Sequence, residues 1–123
     1  MPARRLSILV VDDQAFVRVL LTDSLREAGY EVVTAADGEA ALEALKRGGV
    51  DLLITDMVMP NRDGVQTITS ARIQFPGLKI LAMSGDRNAD VYLRTAQSLG
   101  AQAVLPKPFD KKQLLAVVKK VLG

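Results

Sequence analysis

Apolar residues fall along this chain in two alternating rhythms. Leu6, Ile8, Leu9, Val10 and Val11 make an almost unbroken run that stops at Asp12 and Asp13, as expected for a strand buried on both faces. From Gln14 the spacing lengthens to a helical period. Phe16, Val17, Leu20, Leu21, Leu25 and Ala28 are expected to share one inward face, and Gly29 to end the helix. Residues 30–35 are rich in β-branched side chains and predict a second strand. A second helix follows over 39–47, with Ala40, Ala41, Ala44 and Leu45 inward and Gly48-Gly49 as its break. Residues 50–55 form another apolar run that again ends at an aspartate, Asp56.

The second half repeats the scheme. Asp63-Gly64 opens a helix that runs to about Gln74 and is closed by Pro76-Gly77. Residues 78–83 predict a strand, 89–99 a helix ended by Gly100, and 101–105 a last short strand. Asp110 with Gln113 three positions later has the spacing of a capping box. It heads a final helix expected to bury Leu114, Val117, Val118 and Val121. Five strands and five helices in strict alternation imply right-handed crossovers and a parallel sheet covered on both faces, an α/β doubly wound architecture.

Composition narrows the chemistry. The 123 residues contain no cysteine and no histidine, which removes thiolate and imidazole metal sites, disulfides and histidine-dependent triads. Sixteen Lys and Arg against fourteen Asp and Glu give a net charge of +2, too small a surplus to argue for direct nucleic-acid binding. No apolar run approaches the ~20 residues of a membrane span. The basic start, Met1 to Arg5, leads into a run too soon interrupted by acids to serve as a signal peptide, so a cytoplasmic location is expected. No linker divides the chain, which reads as one domain over 1–123 with its core at about 6–122.

In an open parallel sheet, function gathers beyond the carboxyl ends of the strands. Asp12 and Asp13, Asp56, Ser84 and Lys107 all stand there, each just where an apolar run stops. Taken singly, each has an ordinary explanation: an acid pair after a strand caps a helix, Ser84-Gly85 makes a turn, Lys107 sits in a solvated loop. Together, in order and at strand ends, they make a pocket. Three carboxylates repel one another unless a cation intervenes. With hard oxygen ligands alone, the fitting ion is Mg²⁺. A metal, an ammonium and a hydroxyl are the set that neutralises a transferring phosphoryl group, which a carboxylate nucleophile can receive as an acyl phosphate.

These stretches resemble a known family. Ile8-Leu9-Val10-Val11-Asp12-Asp13, Ile54-Thr55-Asp56-Met57-Val58-Met59-Pro60 with Asp63-Gly64, Leu81-Ala82-Met83-Ser84-Gly85 and Leu105-Pro106-Lys107-Pro108-Phe109 are similar to the four motifs of response-regulator receiver domains, in order and across essentially the whole chain. The resemblance implies a flavodoxin-like sheet of strand order 2-1-3-4-5. It implies Asp56 as phospho-acceptor, Asp13 and Asp56 as Mg²⁺ ligands, Asp12 acting mostly through water, and the Val58 carbonyl as a further ligand. Ser84 and Lys107 would contact the phosphoryl oxygens, and the Lys107–Pro108 peptide would be cis. The donor would be a histidine kinase or phosphotransfer protein, and the response a change at the face made by the fourth helix, fifth strand and fifth helix. Catalysis would be confined to self-phosphorylation and slow self-dephosphorylation. With no output segment after Gly123, the expectation is output by protein contact, or a chain that is part of a larger regulator.

Two departures bear on this. Where the family often places an aromatic residue three positions before the lysine, this chain has Val104, so the expected route of signalling is movement of the loop after Ser84. Val58 and Asp86 flank the pocket at positions that in the family affect phosphoryl lifetime. The rival readings are a Mg²⁺-dependent phosphohydrolase, against which Val58 stands where a second carboxylate would be needed, and a degenerate receiver used only for docking, against which the acidic and lysine set is complete. Met57 and Met59 are expected to be packing residues, and Lys111, Lys112, Lys119 and Lys120 a solvated helix face.

Overall fold

The first and third apolar runs become the centre of a sheet because every one of their side chains can be buried. In the computed structural model, which describes residues 5–59, 64–85 and 88–123, β1 (Ser7–Val11) and β3 (Leu52–Asp56) are buried at all positions. β2 (Glu31–Ala35) flanks β1, and β4 (Lys79–Ser84) and β5 (Ala103–Pro106) follow β3. The order is β2-β1-β3-β4-β5, all parallel, as the resemblance implied. The pleat sends alternate residues to opposite faces. Ile8, Val10, Leu52 and Ile54 pack under the helices α1 (Ala15–Glu27) and α5 (Lys111–Leu122). Leu9, Val11 and Leu53 pack under α2 (Gly38–Lys46), α3 (Gly64–Gln74) and α4 (Ala89–Ser98).

Element boundaries moved by one or two residues. β3 begins at Leu52 and takes in Asp56, so the aspartate belongs to the strand. α2 starts earlier than expected because Asp37 accepts the Ala40 N–H at 2.9 Å. The capping box at Asp110 and Gln113 forms in both directions, at 2.7 and 2.9 Å. Asp63, Pro60 and Asp86 lie outside the described residues.

The larger difference is on α1. Only Leu21 and Leu25 are buried, whereas Phe16 is 72% and Leu20 51% exposed, and Ala28 is exposed too. The sheet offers this helix room for one narrow row, so the flanking apolar residues face outward. On α2, Ala40 is exposed and Leu42 buried, a rotation of the same kind. On α5, Leu114 and Val118 carry the burial, with Val117 and Val121 half-buried.

Candidate functional site

β1, β3, β4 and β5 end at one level, where Val11 pairs with Thr55, Asp56 with Met83 and Ser84 with Pro106. The residues just beyond converge. Carboxylate oxygens of Asp12, Asp13 and Asp56 all lie within 4.8 Å of one another. The Lys107 ammonium bridges two of them, donating to Asp12 Oδ2 at 3.0 Å and to Asp56 Oδ2 at 3.3 Å. Ser84 is fully buried, and its Oγ has no hydrogen-bond partner among the described residues. The sheet thus assembles all five site residues that the sequence marked.

Backbone bonds hold the approach of each. Lys107 N–H donates to the Ser84 carbonyl at 2.8 Å and Met57 N–H to the Met83 carbonyl at 2.9 Å. Two glycines are required by contact. A Cβ at Gly64 would stand 2.5 Å from the Asp56 carbonyl oxygen, and one at Gly85 would stand 2.9 Å from Lys107 Cβ. Gly64 lets α3 begin against the Asp56 loop, and Gly85 lets the lysine stem pass. The sequence marks Gly85 only as a turn residue. The Lys107–Pro108 peptide is cis, as expected, and Met57 and Met59 are buried packing residues.

The electrostatics are those of a site short of positive charge. Burial raises the Asp56 carboxyl above its ordinary value, the Asp12 charge adds to this, and Lys107 with the Val58 N–H opposes it without prevailing. For Lys107 the largest influence is burial, which lowers its value. The hydrogen bonds and charges of Asp12 and Asp56 together outweigh that, and the ammonium is held more firmly than usual. Three carboxylates face one ammonium, so a divalent cation would complete the balance. The oxygen-only donor set suits Mg²⁺. Both Asp12 oxygens are already engaged, one by Lys107 and one by the Gln14 N–H at 2.9 Å. Asp56 is engaged likewise, by Lys107 and the Val58 N–H, whereas Asp13 stands exposed at the rim.

Outside this pocket, Val104 is half-buried and packs with Tyr92 and Leu99 against the core beneath α4. Two features were missed in the sequence. Arg18 on α1 donates to the Asp12 carbonyl at 2.7 Å, a contact signalled only by a cation five residues after the acid pair. The outward apolar patch of Phe16, Val19 and Leu20 was concealed by counting helix faces without the sheet.

A parallel five-stranded α/β fold with an acid cluster and a lysine at its strand ends has the donor set for a divalent cation and a phosphoryl group. The family profile of the response regulator receiver domain matches residues 8–119, and the chain belongs to that family. It is 35% identical over 127 residues to a probable chemotaxis protein CheY of Rhizobium etli, covering 98% of this chain and 95% of that one. It is 37% identical over 117 residues to the DNA-binding transcriptional regulator NtrC of Azospirillum brasilense, covering 95% of this chain but 24% of the regulator. Among solved structures, the Vibrio cholerae chemotaxis protein CheY4 superposes with a TM-score of 0.89 at 31% identity, covering 97% of this chain and 100% of that one. The chain thus spans about a quarter of the NtrC-type relatives and nearly all of the CheY-type ones. It is a phospho-accepting receiver of two-component signalling; the phosphohydrolase and docking-only readings are not favoured. Receivers are signalling modules that work with histidine kinases or phosphotransfer proteins. Among the described residues no helix is long and apolar enough to cross a membrane.

Proposed function

We propose that Asp56 is the phosphoryl acceptor, Asp13 and Asp56 with the Val58 carbonyl hold Mg²⁺ directly, and Asp12 holds it through water. The observation that carries this is the clustering of three carboxylates, two of them bridged by the half-buried Lys107 ammonium. An Asp56 oxygen forms a bond to phosphorus as the bond from phosphorus to the donor breaks. The donor's leaving atom keeps the bonding pair, an imidazole nitrogen in the case of a phosphohistidine. Mg²⁺, when bound, offsets charge on the carboxylates and the phosphoryl oxygens. Lys107 shifts from Asp56 toward the new phosphoryl oxygens, and the unpartnered Ser84 hydroxyl donates to one of them, drawing its loop inward. Movement of that loop reaches α4 and the face it forms with β5 and α5.

The phosphodonor approaches over α1. Phe16, Val19 and Leu20 are exposed apolar residues at helical spacing on α1, a face suited to an apolar partner helix. In this reading the chain is a single domain with its core at about 6–122, acts in the cytoplasm, and turns over no substrate beyond its own acyl phosphate. The test is incubation with acetyl phosphate and Mg²⁺ followed by intact-mass measurement. Wild type gains one phosphoryl group that hydroxylamine removes, and Asp56→Ala gains none. Equal labelling of Asp56→Ala refutes the assignment.

A further inference from the structure

The stretch that carries the acid pair is short and has little conventional support. Only Asp12, Asp13 and Gln14 separate the end of β1 at Val11 from the start of α1 at Ala15. The N-cap of α1, Gln14, makes no side-chain cap bond, and the first turn has no acidic residue. α2 and α5, by contrast, are each capped by an aspartate. The stability of this connection therefore has to come from elsewhere.

It comes to Asp12. Its N–H donates to the Ala35 carbonyl at 3.2 Å, Oδ1 accepts the Gln14 N–H at 2.9 Å, and Oδ2 accepts Lys107 at 3.0 Å. Its carbonyl accepts Arg18 Nη1 at 2.7 Å, a short charge-assisted bond. All four polar positions of Asp12 are engaged. The Arg18 bond is the one that acts on the peptide joining Asp12 to Asp13, and hence on the direction in which the exposed Asp13 carboxylate leaves the chain.

We propose that Arg18 is a positioning residue, whose guanidinium fixes the Asp12–Asp13 peptide and so sets the spacing of Asp13 against Asp56 at which Mg²⁺ binds. The proposal rests on the metal assignment made above. Two opposed effects of Arg18 on a cation can be separated by sign. As a bare positive charge near the pocket it would repel Mg²⁺, but it is half-exposed and this repulsion is screened. As a brace behind the ligand it strengthens binding, and loss of such outer partners typically weakens metal affinity about 10–100-fold. Positioning wins.

The experiment is titration calorimetry of the full chain with MgCl₂, for wild type, Arg18→Ala, Arg18→Lys and Asp13→Asn. The expected result is a roughly tenfold weaker Mg²⁺ affinity in Arg18→Ala. Arg18→Lys, which keeps the charge and one donor on a shorter reach, should fall between the two, and it serves alone if the alanine variant does not fold. Unchanged or tighter binding in the Arg18 variants, with binding lost in Asp13→Asn, overturns the positioning role and leaves the metal assignment standing. Wild-type affinity in Asp13→Asn overturns the metal assignment, and the positioning role with it.

Discussion

The two ends of the sheet are built from similar residues and behave in opposite ways. At the amino end polar groups find partners almost throughout. Arg72 Nη1 donates to the carbonyls of Pro76 and Leu78, both at 2.9 Å, and Nη2 to that of Gly100 at 2.7 Å, with only Nε left unpartnered among the described residues. Ser7 and Asp51 bond reciprocally, each at 2.8 Å. Lys79 caps the end of α5 through the Val121 carbonyl at 2.9 Å. At the carboxyl end three carboxylates cluster with a single ammonium, which bonds two of them, and a buried hydroxyl has no partner. Saturated polar groups are architecture, whereas an unbalanced cluster is stability withheld until a ligand supplies the missing charge. The difference lies in what surrounds a side chain more than in its type: Arg72 and Lys107 are both cations, one tying off carbonyls and the other outnumbered by acids.

Breaking the saturated end should have the largest effect on stability. Arg72→Ala removes three hydrogen bonds that link the end of α3, the approach to β4 and the turn after α4, and water can replace the two exposed ones. Unfolding free energy should fall by about 1–2 kcal/mol, read from the urea midpoint. Mg²⁺ affinity at the far end should stay within about twofold, since distant sites without shared partners behave additively. A loss of Mg²⁺ binding in this variant would mean that the two ends are coupled.

At the unbalanced end the sign should reverse. The Asp56 carboxyl is raised in the folded state above its ordinary 3.8, mainly by burial. Folding therefore binds this proton more tightly, and the associated stability is complete below the ordinary value and lost as pH rises through the folded one. Asp56→Asn, which never ionises, should match wild type in acid and melt at a higher temperature than metal-free wild type near pH 7. Thermal melts from below the ordinary carboxyl value up to about pH 7 decide it; a variant less stable than wild type at pH 7 contradicts the account. Added Mg²⁺ should raise the melting temperature of wild type far more than that of the variant.

The smallest stability change is expected at Ser84. Removing a buried hydroxyl that has no partner costs at most about 0.5 kcal/mol and can be favourable. Its effect should show in signalling. With beryllofluoride as a phosphoryl mimic, the amide shifts of α4 should be largely lost in Ser84→Ala, while Val104→Ala should disturb packing more than those shifts. A full wild-type response in Ser84→Ala, or its abolition by Val104→Ala alone, would place the coupling on another route.

Strand and helix alternation was legible because strands buried on both faces leave short unbroken apolar runs, whereas helices buried on one face leave a period of 3.6. The site was legible because apolar runs that stop at Asp12, Asp56 and Ser84 mark strand ends, and parallel strands bring those ends to one edge. The inward face of α1 was misjudged for a physical reason. Phe16 and Leu20 have the right spacing, but spacing does not say how wide a stripe the sheet can cover, and here it covers only the row of Leu21 and Leu25.

By itself the sequence determined the element order, the doubly wound class, the capping of α5 by Asp110 and Gln113, and the residue types gathered at the strand ends, because each of these is set by local period or by the end of a burial pattern. Tertiary structure alone decided the rest. The pairing of Lys107 with Asp12 and Asp56 spans 95 and 51 positions. The raised Asp56 carboxyl follows from the burial that packing imposes, and the need for glycine at 85 follows from the passage of a lysine stem 22 residues away. Distances and desolvation belong to the assembled sheet, and no stretch of chain carries them before it folds.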